Sequence, residues 1–180
     1  MSNKLSTQKI VFIGMFVAII AILSQCAIPS PTGVPMTLQP FGIALTGYLL
    51  RKKYAPMTVI IWLLLGAVGV PVFSGFRSGP NALIGATSGF MYGFIIMSFL
   101  CGLSSLYKPF ISITFGLLGL FITHILGTVV YSNISGNNFI VSITTVSLPY
   151  IIKDIILVIL AYFISKVLHI RLNKASIKFD

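Results

Sequence analysis

Six apolar runs shape everything this chain can become: Ile10 to Ile28, Met36 to Leu50, Tyr54 to Val70, Ala82 to Leu106, Phe110 to Tyr131 and Leu148 to Leu168. A helix needs roughly 20 apolar residues to cross the hydrocarbon core of a bilayer. The runs therefore predict an all-α membrane protein built as a bundle of six transmembrane helices, with a single membrane-embedded domain over residues 1–180. Composition agrees. With 57% hydrophobic and 8% charged residues and a mean hydropathy of +1.04, the chain lies far outside the range of soluble globular proteins. The second and third runs are short. Their ends are marked by Arg51-Lys52-Lys53 and by the Gly/Pro-rich stretch from Gly69 to Pro80, which cannot be regular helix throughout. Irregular backbone near a membrane must be buried in protein or line a wet cavity.

The net charge of +10 would suggest nucleic acid in a soluble chain. Here the positions of the charges explain it. All of the 12 basic residues except Arg77 and Lys153 fall before the first run, between runs two and three, between runs four and five, or at the C-terminal end of run six. Those places share one side of a six-helix layout. By the positive-inside rule that side is the cytoplasm, so both termini are expected inside and the loops 29–36, 70–82 and 132–147 outside. No nucleic-acid partner is needed.

Arg77 and Lys153 belong to the opposite half, together with Asp154. The chain has only two acidic residues, Asp154 and Asp180. Asp154 stands in Pro149-Tyr150-Ile151-Ile152-Lys153-Asp154-Ile155, inside an otherwise apolar run. An ionisable residue in a membrane segment is costly, and its default interpretation is functional. The simpler alternative is a Lys153–Asp154 pair that locks the helix beside a surface arginine.

Other signals are weaker. The basic N-terminus, the first run and Leu23-Ser24-Gln25-Cys26 have the outline of a lipoprotein signal, but glutamine before the cysteine is wrong for cleavage, and the segment is expected to remain as helix 1. Cys26 and Cys101 fall at opposite ends of the layout and should not form a disulfide. His124 and His169 have no carboxylate or thiol at ligand spacing, so no metal site is expected, and an interhelical hydrogen bond is the simplest role for His124. No phosphate loop occurs, so any ATP-driven step needs a partner. Ser88-Gly89 with His124 gives a faint serine-hydrolase pattern lacking the glycine two residues before the serine. Gly85, Gly89 and Gly93 repeat every four residues, as do Gly14 and Ala18. Such small residues let helices approach closely, either inside a bundle or against another membrane protein.

Three stretches carry a family likeness: Val34-Pro35-Met36-Thr37-Leu38-Gln39, Gly66-Ala67-Val68-Gly69-Val70-Pro71-Val72-Phe73, and Leu148-Pro149-Tyr150 with Asp154. Together, and in the order and spacing of six helices over roughly residues 8 to 165, the chain resembles the BioY family. These are biotin-binding S components of energy-coupling-factor (ECF) transporters. The resemblance implies a bacterial plasma-membrane transport protein, not an enzyme, with no cofactor of its own. Its partners would be a transmembrane coupling protein and ATPase subunits. It also implies an outward-facing pocket in which Asp154 accepts the ureido N–H groups of biotin and Arg77 and Lys153 receive the valerate. Gln39, Thr37 and Thr87 would add polar contacts, and Phe73, Phe90 and Tyr150 apolar walls. Gly14 and Ala18 would dock the coupling protein. Two positions depart from the family pattern. Gly85-Ala86-Thr87-Ser88-Gly89-Phe90 stands for G-P-T-x-G-Y, and Leu157 stands where D-x-x-K has its lysine. At about 100° per residue, Lys153 and Leu157 point to roughly the same side of a helix, so Lys153 could serve instead. Another small anionic vitamin such as lipoate is the alternative ligand.

Overall fold

The computed structural model describes residues 7–104 and 107–174, the side chains of 173 and 174 excepted; Lys4, Leu106, Lys178 and Asp180 lie outside the described residues. Seven α-helices dominate. Helix α1 spans Thr7–Gln25, α2 Gln39–Ala67, α3 Pro80–Ile84, α4 Ser88–Ser104, α5 Pro109–Ser135, α6 Phe139–Val146 and α7 Leu148–Lys174. Two short strands, β1 (Ala27–Ile28) and β2 (Met36–Thr37), pair antiparallel between α1 and α2. Met36, expected to open the second helix, is therefore strand, and the helix starts at Gln39 with Pro40 in its first turn, where a missing N–H costs nothing.

The second and third apolar runs form one continuous element with a break inside it. Arg51 has φ 60° and ψ 176°, outside helical geometry. Pro56 lacks the N–H that would bond back to Lys52 and loosens the same turn. The basic triplet thus marks a kink. Counting the two halves of α2 separately, the described residues contain six long helical segments, in the expected order. Of the helices, α1 and α5 are each long and apolar enough to cross a membrane by length and composition.

Two features of the loops differ from expectation. The 70–82 stretch contains a 3-10 turn at Ser74–Phe76 and the short α3. The 132–147 stretch is not a plain loop, because Asn138 caps α6 by accepting a hydrogen bond from the Val141 N–H at 2.8 Å. Ala82 does not open the fourth long helix, which starts at Ser88 after a break, and Gly85 is therefore not helical. Gly89 and Gly93 behave as expected of a packing stripe. A Cβ on Gly93 would lie 2.6 Å from Thr123 Cα, and one on Gly89 would overlap the Leu126 carbonyl. Helix α4 can lie directly on α5 only because these two residues have no side chain.

The largest buried side chains are Trp62, Tyr48, Phe73, Ile20, Ile43 and Leu49, in a core shared by α1, α2, α4, α5 and α7. A smaller cluster of Val34, Tyr131, Val146 and Tyr150 lies apart from it. Around this interior the long helices expose apolar residues such as Val11, Leu64, Phe121, Ile152 and Phe163. That outside-in pattern is what a chain surrounded by lipid requires, since lipid tails give no penalty for exposed hydrocarbon. The basic residues gather where α1 begins and α2 is kinked. The Lys9 and Lys53 ammonium groups lie 5.1 and 5.5 Å from the centre of the Tyr54 ring, close enough for cation–π attraction.

Candidate ligand-binding site

Asp154 is 5% exposed on the inward side of α7, the only carboxylate side chain among the described residues. An isolated buried carboxylate would cost several kcal/mol. Two neighbours offset that cost. The Lys153 ammonium contacts Asp154 Oδ1, and His124 Nε2, brought across by α5, lies 3.2 Å from Oδ2. Lys153 also donates to the Thr37 carbonyl at 2.7 Å, which ties β2 to α7.

These groups line one cavity in which a few polar side chains converge among apolar ones, the make-up usual for small-molecule sites. Its polar lining includes Thr37, Gln39, Ser74, Arg77, Thr87, Thr123, His124, Lys153 and Asp154; Phe90, Met91, Phe94, Leu120 and Tyr150 supply apolar surface. Loop 29–36 closes over one edge and is held there by two tyrosines. Tyr150 donates to the Val34 carbonyl at 3.0 Å and Tyr131 to the Thr32 carbonyl at 3.3 Å. Arg77 is exposed at the rim, where its Nε–H donates to the Ser74 carbonyl at 3.0 Å.

The structure thus brings together Asp154, Lys153, Arg77, Gln39, Thr37, Thr87, Phe90 and Tyr150 around one cavity. Gln39 and Thr37 have structural duties as well. The Thr37 hydroxyl donates to Gln39 Oε1 at 3.0 Å, and Gln39 Nε2 donates to the Ser24 hydroxyl on α1 at 2.9 Å. Phe73 is the exception among the expected site residues. It does not line the cavity but is fully buried beside α2, its ring edge-on to Trp62 with centroids 5.1 Å apart. The ring occupies the space where a Cβ on Gly66 would stand, so the G-x-x-x-x-x-x-F spacing of Gly66 and Phe73 serves packing. Leu157, one turn further along α7, is not among the cavity-lining residues, whereas Lys153 is.

His124 does more than the interhelical bond expected of it. That bond runs from α5 to α7 and meets Asp154, a carboxylate 30 positions away in sequence, and Nδ1 lies 3.2 Å from the Ser147 hydroxyl at the junction of α6 and α7. The signal available was two lone polar residues, one in each of two apolar runs. Its two ring nitrogens are taken up by Ser147 and Asp154, and Ser88 is joined to Gly85 through its backbone N–H instead. Cys26 and Cys101 are free thiols, and among the described residues no three His, Cys, Asp or Glu side chains form a metal-binding group.

The family model described as "BioY family" matches residues 1–174. The chain belongs to the BioY family. Among relatives, this BioY-family chain is 33% identical over 173 residues to the biotin transporter BioY of Thermotoga maritima, covering 95% of this chain and 99% of that one. It is 35% identical over 130 residues to the biotin transporter BioY2 of Lactococcus lactis, covering 71% and 70% respectively. A crystal structure at 2.1 Å of the S-component for biotin from an ECF-type ABC transporter superposes with a TM-score of 0.84 at 27% identity, over 94% of each chain. A BioY-family chain is a membrane transport protein and not an enzyme, which removes the hydrolase interpretation of Ser88 and His124.

Proposed function

We infer that this protein is the biotin-binding S component of an ECF-type vitamin uptake transporter, a single domain in the bacterial plasma membrane with six spans and both termini cytoplasmic. The six long helical segments and the grouping of Lys9, Lys53 and Tyr54 at one end of the bundle support that topology. The cavity then faces outward. ATP hydrolysis by partner ATPases, transmitted through a transmembrane coupling protein, moves the ligand inward.

The observation that carries the assignment is Asp154, a buried carboxylate at the cavity wall with one donor already on each oxygen. Biotin's ureido ring offers N–H groups to its remaining lone pairs, and charge-assisted bonds in a dry site are strong. Lipoate has a carboxylate but no N–H donor, so Asp154 would stay unmatched opposite it. Arg77 at the rim receives the valerate, Lys153 stays at the ureido end beside Asp154 and the Thr37 carbonyl, Thr87 and the second N–H of the Gln39 amide add polar contacts, and Phe90 and Tyr150 hold the rings. Gly14 and Ala18 are exposed on α1, and no atom lies within 4 Å of a Cβ built on Gly14. That open strip suits the docking of the coupling protein.

The test is uptake of radiolabelled biotin by a biotin-auxotrophic bacterium stripped of its own transporter and given this chain with an ECF coupling module. Energy-dependent biotin uptake without lipoate uptake is expected. Lipoate uptake at an equal or greater rate would transfer the assignment to lipoate.

A further inference from the structure

Behind the carboxylate runs a line of buried polar groups that starts at His124 in the cavity wall and continues through Ser147 and Thr128, which do not line the cavity. His124 Nδ1 lies 3.2 Å from the Ser147 hydroxyl, and Thr128, one turn along α5, places its hydroxyl 2.7 Å from the same oxygen. His124, Ser147 and Thr128 are all buried. Ser147 is a fixed point, because it is the one residue between α6 and α7. Its N–H donates to Ile143 at 3.1 Å, and its carbonyl accepts from Tyr150 and Ile151, both at 3.0 Å. Phe90 stands edge-on to the imidazole at 5.9 Å between centroids. The ring is thus held at both nitrogens and against one side.

Proton accounting limits its state. In the tautomer with Nε2 bare, a lone pair would face the carboxylate across a dry gap. Two states remain: the neutral ring with Nε2–H, its Nδ1 accepting from Ser147, and the imidazolium, donating at both ends. Each gives Asp154 Oδ2 an N–H donor. The other charged or titratable groups at the cavity are Lys153, which serves Oδ1 and Thr37, Arg77, which bonds Ser74, and Tyr150, which bonds Val34. His124 is therefore the more buried donor to Asp154, its side chain 6% exposed against 27% for Lys153.

We propose that His124 is a positioning residue for ligand binding, held by Ser147 and Thr128, which fixes the plane of the Asp154 carboxylate so that the free lone pairs face the ligand. Without that donor the buried carboxylate turns toward Lys153, its other partner, and the acceptor is misaimed. The inference rests on the biotin-binding assignment above.

Its test is isothermal titration of purified His124→Leu, His124→Gln and Asp154→Asn/His124→Leu, using biotin and its uncharged carboxamide. His124→Leu should raise the Kd for both ligands by about 20-fold or more with unchanged stoichiometry, because it acts at the ureido end. His124→Gln, which retains an N–H donor, should stay within about fivefold of the unmutated protein. In the Asp154→Asn background the leucine should add less than about twofold. Ser147→Ala, which removes the contact at the back of the ring together with the bond to Thr128 and leaves Asp154 untouched, should raise the Kd about fivefold and serves if His124→Leu does not fold. Leucine and glutamine variants that behave alike, an unchanged Kd in His124→Leu or Ser147→Ala, or additive effects in the double mutant would overturn the proposal. If the unmutated protein fails to bind biotin, the functional assignment itself fails; if it binds while His124 is indifferent, only this inference does.

Discussion

Replacing Asp154 by asparagine keeps the shape of the side chain and removes its charge. The carboxylate offers about four lone-pair positions; Lys153 and His124 take one on each oxygen, leaving about two for ureido N–H groups. Asparagine has one acceptor oxygen and turns an NH2 group either toward the histidine or toward the ligand. In both orientations one donor meets another. A hydrogen bond to a charged group contributes about 1.5–3 kcal/mol, and an unsatisfied buried donor costs about 1–3 kcal/mol. With partial relaxation the expected loss is about 2–4 kcal/mol, or about 30- to 1,000-fold in Kd. The fold should survive, since Lys153 is half-buried and keeps its bond to the Thr37 carbonyl. Isothermal titration with biotin on the monodisperse variant measures the effect. A Kd within about threefold of the unmutated protein would mean that Asp154 only locks the helices.

Three further outcomes are expected. Arg77→Ala should weaken binding of biotin more than of its carboxamide in the same titration, whereas Lys153→Ala, which takes a donor from Asp154, should weaken both; if the unmutated protein holds the carboxamide as tightly as biotin, Arg77 does not serve the carboxylate. Gly14→Trp or Ala18→Trp should leave biotin binding in detergent intact yet abolish uptake and co-purification with the coupling protein, and loss of binding with intact assembly would refute the docking role. Gly93→Ala should destabilise the protein by about 1–3 kcal/mol, read as a lower melting temperature in detergent, because the added methyl meets the α5 backbone at Thr123; an unchanged melting temperature would show that α4 and α5 can separate freely.

The long helices were legible in the sequence because hydrocarbon-length apolar runs have few other solutions. Even the α2 break was foreshadowed, as Arg51-Lys52-Lys53 interrupts two runs that the structure joins through a non-helical Arg51. The short α6 was less visible. Its β-branched run Ile140-Val141-Ser142-Ile143-Thr144 has weak helix propensity, and Asn138 was its one local signal. Much of the cavity could be named from motif positions because residues 34–39 and 149–154 meet directly, through Lys153 to the Thr37 carbonyl and Tyr150 to the Val34 carbonyl. The role of Phe73 could not, since a phenylalanine reads alike whether it faces a ligand or a glycine on a neighbouring helix. Nor could the His124–Asp154 pairing, which is set by the packing of α5 against α7 and leaves no trace in local spacing.

Capture of biotin by the cavity beside Asp154 is read by equilibrium dialysis of radiolabelled biotin against the purified protein, challenged with excess unlabelled biotin or lipoate. Saturable binding of one biotin per chain, displaced by biotin and not by lipoate, is the predicted result; absence of saturable binding, or displacement by lipoate as effective as by biotin, would contradict it.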